Sequence, residues 1–80
     1  MNFFLMNKYQ TVEENIVVTS KILYELLDNQ KHVDQLFLDF ANSRKISLNL
    51  NIERVLYLAL TFLYSMGIID SENNAIRRVN

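Results

Sequence analysis

The stretch YSMGIIDSENNAIRR, Tyr64 to Arg78, decides the fold. It holds the single glycine of the chain, Gly67, followed by Ile68-Ile69, a polar run, and then Ala75-Ile76-Arg77-Arg78. A helix that stops and turns sharply into a strand favours a left-handed residue at its end, and glycine takes that conformation without a Cβ clash. Ile68-Ile69 then opens a strand. The run DSENN is rich in turn formers, and Asn73-Asn74 tolerates left-handed dihedrals. AIRRV returns as a second strand.

Upstream, NIERVLYLALTFLYSMG (Asn51 to Gly67) predicts a helix capped by Asn49 or Asn51 and ended by Gly67. From Val55 to Met66 only Thr61 and Ser65 interrupt its apolar character, with tyrosine counted as apolar. A surface helix would keep a polar face. Each large side chain left in water forgoes about 1.5–3 kcal/mol, so a dimer, a partner protein or the N-terminal FFLM segment is expected to cover the remaining face. Tyr57 and Tyr64 share a helix face with Thr61. Tyrosine suits interfaces where one end is apolar and the other wet, so these three, with Phe3 and Phe4, are the candidate partner contacts.

Two more helices precede this one. TVEENIVVTSKILYELLDN carries a capping box at Thr11 and Glu14, and Asn29 is the expected terminator. Its apolar face runs through Val12, Ile16, Leu23, Leu26 and Leu27, with Thr19 and Ser20 in the gap. KHVDQLFLDFANSRK, Lys31 to Lys45, has a stripe of Val33, Leu36, Phe37, Phe40 and Ala41, with charges that complement the helix dipole at both ends. ISLNLN follows as an extended connection whose Ile46, Leu48 and Leu50 alternate like a short strand. Tyr24, Phe37, Phe40 and Phe62 are read as core. The expected architecture is mainly α with a small β-hairpin: a winged helix-turn-helix-like three-helix domain over residues 11–80 with a C-terminal wing, preceded by an arm or short strand over residues 1–10.

Half of the 80 residues are hydrophobic, so the chain is not of the disordered class. Net charge is −1, with no basic block. DNA-binding domains ordinarily carry a positive excess, because phosphate neutralisation dominates their affinity. Arg44, Lys45, Arg54, Arg77 and Arg78 are the residues that would contact nucleic acid in a winged-helix regulator, but Glu53 beside them would repel phosphate. An end of a solvated hairpin, with Asp70 pairing across to one arginine, is the preferred reading of Arg77-Arg78. Absence of cysteine excludes disulfides and thiolate metal sites. The longest apolar run, Val55 to Ile69, is shorter than the roughly 20 residues a membrane span needs. MNFFLM lacks the basic n-region and length of a signal peptide, so a cytoplasmic, membrane-free protein is expected. His32, at the start of the second helix, has no companions at metal or catalytic spacing. A single glycine leaves no phosphate-cradling loop. No enzyme, cofactor or metal is expected.

The segments MNKY, ILYELL, HVDQLFLDF and LALTFLYSMGIID…AIRR resemble the small middle components of bacterial ABC-three-component systems, type six. The resemblance runs from about Leu5 to Arg78. Its strongest part is an apolar helix of A-L-x-x-L-Y-x-x-G-x-I type, then an acidic-polar turn and I-R-R. The family often has Pro-Asn-Lys where this chain has Met6-Asn7-Lys8, and Thr or Ser where it has His32. The resemblance implies a compact, non-catalytic winged-helix-like adaptor that works between a large SMC-like ABC ATPase and an effector, in defence against phages and plasmids. The alternative is a dimeric winged-helix DNA-binding regulator, and a third reading is an antitoxin-like partner of a toxin.

Overall fold

In the computed structural model the described residues are 12–79, with side chains described from Asn15 onward. The proposed arm of residues 1–10, with Phe3 and Phe4, and the Thr11–Glu14 capping box lie outside them. Helix α1 spans Val12–Leu26, a short strand β1 Lys31–His32, α2 Val33–Arg44, α3 Leu50–Ser65, and the strands β2 and β3 cover Ile69–Glu72 and Ala75–Arg78. The three strands form one antiparallel sheet in the order β1-β3-β2. Three helices with a C-terminal hairpin make the molecule mainly α with a small β part, consistent with a winged-helix-like fold.

The core lies between the three helices and the inner face of the sheet. Leu23 of α1 and Leu27 just beyond its end, Leu36, Phe37 and Phe40 of α2, and Ile52, Leu56, Ala59, Leu60 and Leu63 of α3 meet Ile69 and Ile76 of the hairpin. Burying each large side chain contributes about 1.5–3 kcal/mol. Helix α1 packs chiefly on α3, and its small buried residues allow a close approach there. The hydroxyl of Ser20 donates to the Ile16 carbonyl at 2.6 Å and reaches the Ala59 carbonyl at 3.3 Å. Thr19 is fully buried, and its hydroxyl has no hydrogen-bond partner among the described residues. Of the aromatic residues read as core, Phe37 and Phe40 are buried, whereas Tyr24 and Phe62 are half-buried.

Gly67 ends α3 as expected, at φ +73°. Its N–H donates to the Tyr64 carbonyl at 2.9 Å and the N–H of Ile68 to Leu63 at 3.4 Å, the paired bonds of a Schellman motif. No atom lies within 4 Å of where a Cβ would stand, so the dihedral alone selects glycine here. Helix α2 ends on the same motif with a lysine: Lys45 sits at φ 57°, its N–H bonds to Asn42, and that of Ile46 bonds to Ala41. Asn49 is the cap of α3, its side chain accepting from the N–H of Ile52 at 2.9 Å.

Four local expectations are corrected. Lys31 and His32 do not belong to α2 but pair with Ile76 and Ala75 as β1, because β3 has a free edge there that needs partners. His32 precedes α2 in an extended conformation and makes no side-chain capping bond. Residues 46–49 form no strand among the described residues. Asn49 starts a helix instead, Leu50 is its first residue and is exposed, and only Ile46 and Leu48 pack against the core. The turn is confined to Asn73-Asn74, at φ 55° and 67°, while Asp70, Ser71 and Glu72 are already in β2. Two positive φ values are what a tight type I′ hairpin requires.

Asn29 does not terminate α1. The helix stops at Leu26 with no left-handed residue, and its last carbonyls are taken by an arginine from the far end of the chain. The Arg78 guanidinium donates to the Tyr24 carbonyl from Nε at 3.0 Å and from a terminal nitrogen at 2.7 Å, and to that of Glu25 at 3.2 Å. It also lies over the Tyr24 ring, 4.5 Å from its centroid. A cation at a helix C-terminus complements the dipole, so Arg78 anchors the outgoing wing strand to α1.

A candidate partner surface on the third helix

The exposed side of α3 carries the candidate partner contacts. Leu50, Arg54, Tyr57, Leu58, Thr61 and Tyr64 follow helical spacing down one stripe, opposite the buried Ile52, Leu56, Ala59, Leu60 and Leu63. Leu50 is 72% exposed, Tyr57 54%, Leu58 45% and Tyr64 39%. Tyr57 stands at the centre. Its ring meets the buried Phe37 ring edge-on, at 5.0 Å between centroids and 78° between planes, which fixes its base and leaves its outer part in solvent.

Three shallow concavities meet at Tyr57. One, of about 340 Å³, runs along α3 between Leu50, Glu53, Arg54, Leu58 and Thr61. A second, of about 260 Å³, opens between α2 and α3 and is lined by Asp34, Phe37, Leu38, Leu48 and Glu53. A third, of about 350 Å³, lies towards the hairpin tip, among His32, Val33, Asp34 and Asn74. The first is predominantly apolar. Thr61 strengthens that character, because its hydroxyl donates to the Tyr57 carbonyl at 3.0 Å within the helix. Ser65 does the same with Phe62, at 2.7 Å. The hydroxyl donors of Thr61 and Ser65 are thus spent on the backbone.

The five cations considered for nucleic acid are spread over three elements. Arg54 stands in the groove on α3. Arg44 and Lys45 close α2 and are exposed. The wing arginines already have partners. Arg77 is cross-strand from Asp70 and pairs with it at 2.8 Å, as the alternation of the hairpin led one to expect, and this hydrogen bond raises the guanidinium pKa above its ordinary value. Arg78 is held by the end of α1. Of the candidate partner contacts, Tyr57 and Thr61 line one concavity and Tyr64 lies further along the same stripe, whereas Phe3 and Phe4 lie outside the described residues.

Leu50, Leu58 and Leu38, all exposed, and the carboxylates Asp34 and Glu53 also line this surface, though none of them is among the partner contacts expected from the sequence. The α3 stripe was legible in its spacing, since positions 50, 54, 57, 58, 61 and 64 are half a helical turn away from the buried set. Leu38 was not legible as a contact, because it falls off the α2 stripe and nothing local to it says which element will stand beside it. No group of three His, Asp or Glu side chains among the described residues could hold a metal ion. No helix among the described residues is long and apolar enough to cross a membrane.

The chain is 63% identical over 78 residues to the Uncharacterized protein YydC of Bacillus subtilis (strain 168), an alignment that covers 98% of this chain and 59% of that protein. The chain thus spans less than two thirds of the length of this relative. No solved structure matches it. The model of the ABC-three component (ABC-3C) system Middle Component 6 family matches residues 6–79, nearly the whole chain, and the chain belongs to that family.

Proposed function

We propose that the chain is a non-catalytic adaptor that uses the exposed stripe of α3 to hold a protein partner, and so bridges or regulates the ATPase and the effector of an ABC-three component defence system. The observation that carries this reading is the row of large apolar side chains left in water around Tyr57, on the helix that a winged-helix DNA-binding protein would present to the major groove. Base readout there needs forked donors and acceptors, and this face offers one, Arg54, with Glu53 beside it to repel phosphate, among leucines, tyrosines and a threonine whose donor is already used. An apolar centre with aromatic anchors is the composition of a protein interface. Membership of a multi-component family supports protein partners, with the SMC-like ATPase and the effector as the expected ones.

The DNA-contact alternative draws less support, because Asp70 and the end of α1 engage the two wing arginines. The experiment is co-expression of the chain with the other two components of its system, followed by co-purification. A stable complex with at least one of them is expected, and Tyr64→Glu should dissociate it while the free chain keeps its melting temperature. A chain that purifies alone, or salt-dependent duplex-DNA binding that is lost on Arg44→Ala with Arg54→Ala, would overturn the adaptor reading.

A further inference from the structure

We infer that the concavity between α2 and α3 is a docking notch for a basic amphipathic segment of a partner chain: an aliphatic or aromatic anchor enters between Phe37, Leu38, Leu48 and Tyr57, and a lysine or arginine beside it meets Asp34 and Glu53. This rests on the proposed role of the α3 face and names the chemistry of its occupant. The notch has an apolar floor, with Phe37 buried and edge-on to Tyr57, and an exposed apolar wall in Leu38, which is 49% accessible. Two carboxylates stand on its lining, Asp34 in the first turn of α2 and Glu53 in the first turn of α3.

The carboxylates are the discriminating feature. Elsewhere Asp39 is bound by Lys31 at 2.6 Å and Asp70 by Arg77 at 2.8 Å, while Glu25 and Glu72 pair with no described side chain; what sets Asp34 and Glu53 apart is that they share one apolar notch. Neither Asp34 nor Glu53 has an ion pair or a side-chain hydrogen bond with any described residue, and both line one apolar notch. An apolar partner surface would strip water from these two groups without replacing it, at a cost. A cation carried beside the anchor satisfies them. A second copy of the chain fits less well. A two-fold axis through the notch would set the same patch against itself, bringing Asp34 and Glu53 of each copy against their equivalents. Nucleic acid would meet the same two negative charges with its phosphates.

The test uses the full chain and whichever system component co-purifies with it. Reversing both charges, Asp34→Lys with Glu53→Lys, should weaken that complex by on the order of 100-fold, because like charges then face each other. The neutral pair Asp34→Asn with Glu53→Gln should weaken it by an intermediate factor and flatten its salt dependence. Melting curves of each free variant establish that it is folded, and the neutral pair keeps the test open if the reversed pair is not. Cross-linking then locates the partner segment, and exchanging its lysines or arginines for glutamate should restore binding to the reversed variant. A complex that forms with the wild-type chain and tolerates both charge variants overturns this inference alone. Self-association that is lost on the same substitutions overturns it in favour of a second copy. Failure of the wild-type chain to bind any component overturns both this inference and the adaptor reading.

Discussion

Leu56 and Leu58 are the same residue, two positions apart on one helix, with opposite fates. Leu56 is fully buried against the core, whereas Leu58 is 45% exposed on the groove beside Tyr57. Their helical propensity and transfer free energy are identical, so the difference lies in what stands opposite each. Helix α1, α2 and the hairpin cover one half of α3, and no described residue covers the other. Folding therefore accounts for the leucines of the buried half. Those of the other half contribute little to folding, and in a chain with this much apolar surface they call for a different use. The comparison can be broken at its strongest point. Leu56→Ala leaves a cavity at the centre of the core and should cost about 2–5 kcal/mol, read as a large fall in melting temperature. A loss within about 0.5 kcal/mol, the scale of an ordinary surface change, would mean that the two halves of α3 do not differ as described.

The next effect has the opposite sign and sharpens the account of the buried half. Thr19 of α1 is fully buried, and its hydroxyl has no partner among the described residues. Ser20, next to it, is satisfied by the Ile16 carbonyl. An unsatisfied buried hydroxyl costs roughly 1–3 kcal/mol, and valine has nearly the same shape. Thr19→Val should therefore raise unfolding stability by about that much, measured by denaturant titration. Ser20→Ala should lower it. A fall for Thr19→Val would mean that the hydroxyl has a partner outside the described residues.

These two halves of α3 were unequally legible in the sequence. The helix, its stop at Gly67 and the hairpin that follows are written in local chemistry: an asparagine cap, one glycine at positive φ, and an Asn-Asn turn. The over-apolar character of α3 was equally plain, and it pointed to Tyr57, Thr61 and Tyr64 on the uncovered side. The long-range pairings were not legible. Lys31-His32 has no strand signal of its own and becomes β1 only because β3 arrives beside it. Arg78 looked like a candidate for nucleic acid because no local rule says that it will close a helix 54 residues earlier. The notch at Asp34 and Glu53 is assembled from two first turns that are distant in sequence and adjacent only after α2 and α3 pack. Short-range stereochemistry can be read one segment at a time, whereas a surface site exists only once segments meet.

A smaller effect concerns the polar cluster that ties β1 to α2. Lys31 of β1 reaches Asp39 of α2 at 2.6 Å, Gln35 adds a bond to the same carboxylate at 2.8 Å, and Asp28 lies at 3.6 Å from the lysine. The hydrogen bond from Lys31, and next that from Gln35, lowers the Asp39 pKa, while the bond to Asp39 raises that of Lys31. The lowered carboxylate contributes stability that is fully present above the unfolded value of about 3.9 and lost as pH falls through the folded value. The raised lysine contributes stability that is present below the unfolded value of about 10.4 and lost as pH rises through the folded one. Asp39→Asn should cost about 0.2–1 kcal/mol at neutral pH and flatten the acid limb of the stability profile. An unchanged acid limb would show that the pair holds nothing in solution.

The smallest folding effect is the one that tells most about function. Leu58→Gln replaces an exposed leucine by a residue of nearly equal helix propensity, and surface changes of this kind stay within about 0.5 kcal/mol. The melting temperature of the free chain should hardly move, in direct contrast to Leu56→Ala. The same substitution puts an amide into the apolar groove between Tyr57 and Thr61, where a partner side chain would have to leave it unsatisfied. Co-purification with the other components of the system should then fall markedly. If stability drops as it does for Leu56→Ala, Leu58 belongs to the core and the contrast between the two leucines is wrong. If stability and partner capture both survive, Leu58 is simply an exposed leucine of the common kind, and the interface must be sought on the acidic notch or at Tyr64. Only the combination of a silent melt and a lost partner places the contact at the groove.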